Sequence, residues 1–238
     1  KAAQNANCQG ISYTYTEPTI FMEYAYDTAK LAKDSGLFNT FVTNGYMTLE
    51  AVKTIAPYLD AATVDFKGGA DPSFYKSVMS VPDIKPIFET LKELRLSGVH
   101  VEITNLVVPR SGDSMDRIRE LSAWIAENLG KDTPVHMLRF HPEYKMNDFP
   151  ATDVKTMEQA LLTAKNQGLR YVYIGNLPGH AAENTYCPNC DTPVIRRYAF
   201  DITQWNLTED NKCAVCGQQI PIKGRLHQSN QRFPYALF

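Results

Sequence analysis

Four cysteines near the end of the sequence have the spacing of a metal site. Cys187, Cys190, Cys213 and Cys216 form two Cys-x-x-Cys pairs, with 22 residues between the pairs. Two such pairs complete a tetrahedral set of thiolates for Zn²⁺, or for iron as in rubredoxin, and leave no ligand position open. We therefore predict a structural metal in a zinc-ribbon or rubredoxin-like module. Thiols used in this way, rather than in disulfides, indicate a reducing compartment, and we expect the cytoplasm.

A second group of reactive side chains follows a series of apolar segments. It comprises a carboxylate, a Thr-Asn pair, an Asp-x-Lys pair and a histidine: Glu17, Thr43, Asn44, Asp65, Lys67 and His141. If the segments are parallel strands, their carboxyl ends meet at one edge of the sheet, where ligands bind. A carboxylate suits a ligand ammonium, and a lysine suits a ligand carboxylate. The set therefore predicts a pocket for a zwitterionic ligand.

Each of these residues also has a simpler interpretation. Glu17 is placed to cap the N-terminus of a following helix, and Asn44-Gly45 is a turn signal. His141 is compatible with a structural histidine, and Lys67 with a solvated loop residue. A different chemistry would make Lys67 a Schiff-base lysine in an aldolase-like barrel.

The elements that must position these residues alternate between strand and helix from Ile11 to about Asn176. Apolar spacing predicts helices over 19–35, 48–58, 83–97, 114–129 and 152–167, with N-caps at Thr48 and Ser114. Strands are predicted over 11–15, 40–43, 62–66, 99–108, 135–140 and 169–174. This alternation predicts an α/β fold with a parallel sheet, open or curled into a barrel. The texture changes after Asn176, which predicts domains 1–182 and 183–238 and a short strand over 192–198.

Composition excludes some classes of function. The 238 residues carry a formal net charge of −2, which favours neither nucleic acid nor anionic membranes as partners. No apolar run is long enough to span a membrane. Residues 185–238 contain six Arg or Lys against four Asp or Glu, a difference of +2. This small excess argues against nucleic-acid binding by the cysteine module and favours packing or docking of a protein.

Five segments together resemble a known family. In this order, TYTEP, VTNGY, VDFKG, VVPRSGDS and LRFHP resemble the radical S-adenosylmethionine (SAM) enzymes of the glycyl-radical activating type. The closer resemblance is to the enzyme of the AmmeMemoRadiSam system, itself similar to pyruvate formate-lyase activating enzyme. The resemblance covers nearly the whole chain. It implies a partial (β/α)6 radical SAM barrel of parallel strands followed by the cysteine module.

The resemblance also implies roles for the residues that end the first two strands. Thr16 and Glu17 take the place of the family's Gly-Gly-Glu motif, which holds the amino group of SAM. Thr43 and Asn44 match the next strand end, beside the cofactor.

Asp65 and Lys67 match the family's Asp-x-Lys pair near the SAM carboxylate, and His141 matches a histidine near the ribose. One part of the family pattern is missing, the Cys-x3-Cys-x2-Cys loop that holds a [4Fe-4S] cluster whose open iron binds SAM. Cys8 alone precedes the first strand. We interpret the chain as truncated at its N-terminus, and we expect these 238 residues by themselves to be inactive in radical chemistry.

The function implied for the full-length protein is reductive cleavage of SAM to a 5′-deoxyadenosyl radical, dependent on a [4Fe-4S] cluster. The enzyme would be an oxidoreductase similar to activating enzymes, and the sequence does not reveal its substrate. The family also implies a protein substrate and partners of the Memo and AMMECR1 types. Two alternatives are a non-catalytic interaction module that carries the ribbon, and a Schiff-base lyase that uses Lys67.

Overall fold

The structure is a computed structural model, which describes residues 1–226. Two compact units make up the chain, the first being Lys1–Glu183 and the second beginning at Asn184. Part of the predicted cysteine domain, residues 227–238, lies outside the described residues.

A six-stranded parallel sheet forms the centre of the first unit, as predicted. Its strands follow one another in chain order: β1 Gly10–Tyr13, β2 Phe38–Thr43, β3 Ala61–Lys67, β4 His100–Val107, β5 Val135–Arg139 and β6 Val172–Gly175. Seven α-helices belong to the described part of this unit: α1 Ala2–Asn5, α2 Met22–Asp34, α3 Leu49–Ile55, α4 Pro72–Val78, α5 Lys85–Leu96, α6 Met115–Asn128 and α7 Val154–Lys165. The fold is the α/β class that the alternating pattern predicts.

The strand order places the helices on one face of the sheet. Right-handed crossovers between strands that never reverse their order lie on the same side. Alternate strand residues, such as Val64, Phe66 and Ile103, are therefore fully buried beneath the helices. The intervening residues point to the other face, which we call the open face. It carries Asp65 and Thr104, whose side chains hydrogen-bond to each other across β3 and β4.

Local signals explain where several elements begin. Thr48 and Ser114 cap α3 and α6 by accepting hydrogen bonds from Ala51 N and Arg117 N, so both predicted N-caps are confirmed. The prediction of a first strand reaching Tyr15 is wrong: β1 ends at Tyr13, and Tyr15 has a left-handed φ of 44°.

The second unit is a small antiparallel β module. Its strands are β7 Thr185–Tyr186, β8 Pro193–Tyr198 and β9 Asp201–Trp205, paired in that order. β8 matches the strand predicted over 192–198. One cysteine pair precedes β8 and the other follows β9, and this arrangement fits a zinc-ribbon-like module. Among the helices of residues 1–226, none is long and apolar enough to cross a membrane.

Candidate functional site

The Glu17 carboxylate joins the ends of β1 and β2. Its Oε1 accepts hydrogen bonds from the backbone N and the hydroxyl of Thr19, at 3.2 and 2.8 Å, and from the Thr43 hydroxyl at 2.6 Å. Its Oε2 accepts from Asn44 N at 2.7 Å. The bonds to Thr19 show that Glu17 does cap the short 3-10 turn that precedes α2. Glu17 also accepts from Thr43 and Asn44 at the end of β2, and a helix cap does not require these two hydrogen bonds.

The two oxygens of Glu17 are unequally used. Oε1 accepts three hydrogen bonds, whereas Oε2 accepts one within residues 1–226. An ionised carboxylate has about four acceptor positions, so Oε2 has room for one further donor. Thr43 is buried, which fixes the carboxylate, while Asn44 and Thr16 are exposed. The Asn44 side chain closes a turn, since its Oδ1 accepts from Tyr46 N at 2.8 Å.

A second polar group stands at the end of β3. Lys67 Nζ lies 2.6 Å from Asp65 Oδ2, and the other Asp65 oxygen accepts a hydrogen bond from the Thr104 hydroxyl at 2.7 Å. Both charged side chains are about one third exposed, at 31% and 32%. Asp65 thus holds the ammonium of Lys67 in place, and the remaining Nζ hydrogens are available to an anionic ligand.

The loop after Lys67 is fixed by a buried amide. Asn105 is fully buried on β4, and its Oδ1 accepts from Gly69 N at 2.8 Å. Gly68, Gly69 and Ala70 all have left-handed φ angles, of 59°, 67° and 57°. A Cβ at Gly69 would lie 2.9 Å from Arg117 Cβ, so this position needs glycine for its conformation and for space.

Lys67 is also held through its own backbone. Its N–H donates to the Tyr75 hydroxyl at 3.2 Å. Burial raises the pKa of Tyr75 to about 12, against the lowering effect of this bond. The hydroxyl therefore stays protonated and neutral at the strand end.

The two groups lie on neighbouring strands, but His141 stands apart. Thr43 pairs in register with Val64, so Asn44 follows beside Asp65 at the carboxyl edge of the sheet. His141 follows β5 at the same edge; its side chain is 75% exposed, with Nδ1 3.9 Å from Glu143 Oε1. No contact within residues 1–226 joins it to Glu17 or Lys67.

Several residues that position the site were absent from the sequence prediction. The Thr104 hydroxyl and the Tyr75 hydroxyl bond the Asp65–Lys67 pair, and neither stands at a strand end. Asn105, which holds the loop after Lys67, was also absent from the prediction. A buried amide inside the apolar run of β4 is a signal that a backbone group needs a partner.

The four cysteines converge in the second unit. Their ligand atoms lie within 4.8 Å of one another, with 3.5 Å from Cys187 Sγ to Cys216 Sγ and 3.7 Å from Cys190 Sγ to Cys213 Sγ. A tetrahedral Zn²⁺ with bonds of about 2.3 Å separates its thiolates by about 3.8 Å. The two shorter distances are close to this value, so the arrangement is suitable for such a metal, or for iron.

The two cysteine turns repeat one hydrogen-bond pattern. Cys187 O accepts from Asp191 N, and Cys213 O accepts from Gly217 N four residues later, at 2.9 and 2.8 Å. Burial raises the pKa of Cys187 to about 12, whereas the Asn189 side chain lowers that of Cys216 to about 6. A bound cation would supply the charge that keeps the buried sulfur deprotonated.

Comparison with known proteins gives consistent matches. The family model of the radical SAM superfamily matches residues 1–125. An uncharacterized protein of Methanocaldococcus jannaschii is 46% identical over 217 residues, which cover 91% of this chain and 64% of that protein. The pyruvate formate-lyase-activating enzyme of Clostridium pasteurianum is 27% identical over 155 residues, which cover 60% of this chain and 63% of that enzyme. The chain thus spans less than two thirds of the length of either relative.

A solved structure supports the same fold. A domain of pyruvate-formate lyase-activating enzyme from Bacteroides vulgatus superposes with a TM-score of 0.60 at 16% identity. The match covers 70% of this chain and 99% of that domain.

Proposed function

Because this chain belongs to the radical SAM superfamily, we propose that it forms the SAM-binding part of a radical SAM enzyme similar to the activating enzymes. The observation that carries the proposal is a pair of charged groups at one sheet edge. Glu17, with an open acceptor, is bonded to the end of β2, and Lys67, with open donors, ends the neighbouring strand β3. When bound, SAM would supply the 5′-deoxyadenosyl radical that abstracts a hydrogen atom from the substrate.

The residues present fit the amino-acid end of SAM. In our proposal the SAM ammonium donates to Glu17 Oε2, while the SAM carboxylate accepts from Lys67 Nζ. Thr43 and Asp65 would hold these two charged groups in position before the ligand arrives, which lowers the free energy spent on ordering them. Asn44, Thr16 and His141 remain proposed contacts to the rest of the cofactor.

The residues of this chain do not fit the cluster that the superfamily implies. An open-iron [4Fe-4S] cluster needs three thiolates, and the first unit contains one cysteine, Cys8. The other four cysteines form a closed set in the second unit. We therefore derive no catalytic step through the cluster. Thiolates outside these 238 residues would have to hold it, and the N-terminal truncation remains a proposal.

The family resemblance also supports proposals about the enzyme system, the partners and the bound metal. We assign the protein to the AmmeMemoRadiSam system, with a protein substrate, partners of the Memo and AMMECR1 types and a cytoplasmic location. The cysteine module would hold a structural Zn²⁺ or iron. Its spacing supports this role because the four thiolates leave no open coordination position.

A comparison of two ligands tests the SAM site. SAM carries the ammonium and the carboxylate, whereas 5′-methylthioadenosine lacks both, so calorimetry with each ligand isolates the contacts of Glu17 and Lys67. We expect Glu17→Gln and Lys67→Met each to lower the affinity for SAM about 10-fold to 100-fold, the range for a hydrogen bond to a charged group. The affinity for methylthioadenosine should change by less than about twofold. Matched controls are Glu23→Gln and Lys53→Met, which change the same residue types on α2 and α3. Equal affinity for SAM in all five proteins would refute the proposal.

The Schiff-base alternative has a separate test. Its lysine must react as the free amine, whereas Lys67 makes an ion pair with Asp65. Borohydride reduction in the presence of pyruvate should leave Lys67 unmodified. Mass-spectrometric detection of a reduced adduct on Lys67 would favour the lyase and count against the SAM contact.

A further inference from the structure

A second cluster of titratable side chains lies on the open face. Glu102 on β4 accepts from His100 Nε2 at 3.2 Å and from His136 Nε2 at 2.8 Å, each on a different carboxylate oxygen. The His136 ring stacks on Tyr173 of β6, with centroids 4.8 Å apart and planes 20° apart. We call His100, Glu102 and His136 the His–Glu–His group. It links side chains of two adjacent strands and is braced by a third.

The group lies directly below the proposed SAM contacts. Glu102 precedes Thr104 by two residues on β4, so both point to the open face, about 7 Å apart along the strand. Thr104 binds Asp65, and its register partner on β5 is His136. A ligand on the open face would therefore meet the imidazoles next to the Asp65–Lys67 pair.

The hydrogen bonds fix where the protons are. Burial disfavours the ionised Glu102, but the bonds from His100 and His136 outweigh it and hold the pKa of this carboxyl well below its usual range. An ionised carboxylate only accepts, so both Nε2 atoms carry hydrogens, and Nδ1 is the open nitrogen of each ring.

Both open nitrogens are accessible. Within residues 1–226 neither Nδ1 has a hydrogen-bond partner, and the one buried side-chain polar atom without a partner is Ser122 Oγ. The side chains of His100, Glu102 and His136 are 17%, 36% and 29% exposed. Parallel strands are usually apolar because both faces of the sheet are covered, so this accessible polar group on the open face needs a reason other than packing.

A metal is not that reason. Among the described residues, the four cysteines are the one group of three or more ligand atoms that lie close enough together to hold an ion. The arrangement is instead that of a general base, an imidazole oriented by a carboxylate through one nitrogen and open at the other. His136 is the better placed ring, because its bond to Glu102 is shorter and Tyr173 holds its plane.

We propose that the His–Glu–His group is an acid–base site that takes a proton from a hydroxyl-bearing small molecule bound on the open face. The O–H bond of the ligand breaks, its electron pair stays on the oxygen, and a new N–H bond forms at His136 Nδ1. Glu102 keeps the Nε2 hydrogen bond and stabilises the imidazolium. The site does not depend on SAM, and it would serve the substrate of the proposed enzyme.

An activated ester tests whether His136 Nδ1 is open and reactive. The probe is p-nitrophenyl acetate: Nδ1 attacks the carbonyl carbon, the N–C bond forms, and nitrophenolate leaves with the electron pair. The whole chain is used in a Cys8→Ser background with the cysteine module loaded with Zn²⁺. We expect His136→Asn and Glu102→Gln to lower nitrophenolate release by about tenfold or more. Glu102→Gln acts because the amide lacks the negative charge that stabilises the imidazole as it becomes positive, and offers one accepting oxygen where two imidazoles donate.

The matched control is Glu158→Gln. It changes a different His–Glu contact of this unit, 3.4 Å from Glu158 to His180, and should change the rate by less than twofold. Mass spectrometry of the wild-type chain should find acetyl groups on His136, which needs no variant to fold. Absence of acetylation there, or an equal loss of rate in Glu158→Gln, would overturn the proposal. SAM affinity should be unchanged in His136→Asn; if SAM binding is abolished, the group belongs to the SAM site and the inference fails while the proposed function stands.

Discussion

Replacing Thr43 with valine should loosen the junction of β1 and β2. The Thr43 hydroxyl is buried; it donates to Glu17 Oε1 at 2.6 Å and accepts from Gly45 N at 3.0 Å. Valine has nearly the same shape but offers neither bond. Loss of a hydrogen bond to a charged group costs about 1.5–3 kcal/mol, and an unpaired buried N–H costs about 1–3 kcal/mol. Because Glu17 keeps its other donors, we expect the free energy of unfolding to fall by about 2–4 kcal/mol.

Tryptophan fluorescence can monitor the urea denaturation of the first unit alone. Trp124 of α6 packs against Phe88, with centroids 4.5 Å apart, and reports on the first unit by fluorescence. The second tryptophan, Trp205, lies in the other unit and is removed by Trp205→Phe in every protein compared. The midpoint should fall in Thr43→Val with little change in the slope m.

Thr43→Ser is the matched variant, because serine keeps the hydroxyl and loses one methyl group. Thr43→Ser should recover most of the free energy of unfolding that Thr43→Val loses. If Thr43→Val also weakens SAM binding by reorienting Glu17, Thr43→Ser should restore the affinity. The reasoning is refuted if Thr43→Val unfolds within about 0.5 kcal/mol of the parent, a difference typical of neutral surface changes.

Three further predictions concern a turn, the metal and pH. Gly45→Ala should lower the free energy of unfolding by about 1–3 kcal/mol, because φ is +73° and a Cβ would lie 2.7 Å from Val64 Cγ1. Gly36→Ala is the control: φ is +74° there and the space is open, so the same urea assay measures the cost of the backbone conformation alone. Metal removal with a strong chelator should unfold the cysteine module, seen as a change in Trp205 fluorescence that added Zn²⁺ reverses; an unchanged spectrum would contradict a structural metal. The lowered pKa of Glu102 stabilises the fold above the ordinary carboxyl pKa of 4.5, and this stability is lost as pH falls towards the folded pKa. Unfolding free energies measured from pH 6 to pH 3 should therefore decline less steeply in Glu102→Gln than in the parent, and parallel curves would exclude this contribution.

Sequence patterns predicted the parts of this fold that depend on neighbouring residues. The caps Thr48 and Ser114 act within three residues, and the apolar runs of the strands reflect burial beneath helices. The cysteine pairs carry their own geometry, because each Cys-x-x-Cys turn places two sulfurs on one side. These signals need no knowledge of distant parts of the chain.

Pairings between distant residues were not predictable in the same way. The His136–Glu102 bond joins residues 34 positions apart, and nothing near either residue marks the partner. Both residues also lie within strands, whereas the predicted ligand contacts lie at or beyond strand ends. The helix α4 was missed because Pro72 and the glycines before it favour a loop, whereas Asp71 caps the helix by accepting from Ser73 N. Tyr15 was misassigned because alternation with threonines is typical of a strand, and its left-handed φ depends on the Glu17 turn that follows.

The buried amide of Asn105 has a consequence for the speed of ligand capture. Its Oδ1 accepts from Gly69 N in the middle of three successive left-handed residues, so the segment after Lys67 is already fixed by a group of the protein itself. The rate of ligand association at this end of the pocket should then be limited by diffusion and desolvation, and not by ordering of the loop.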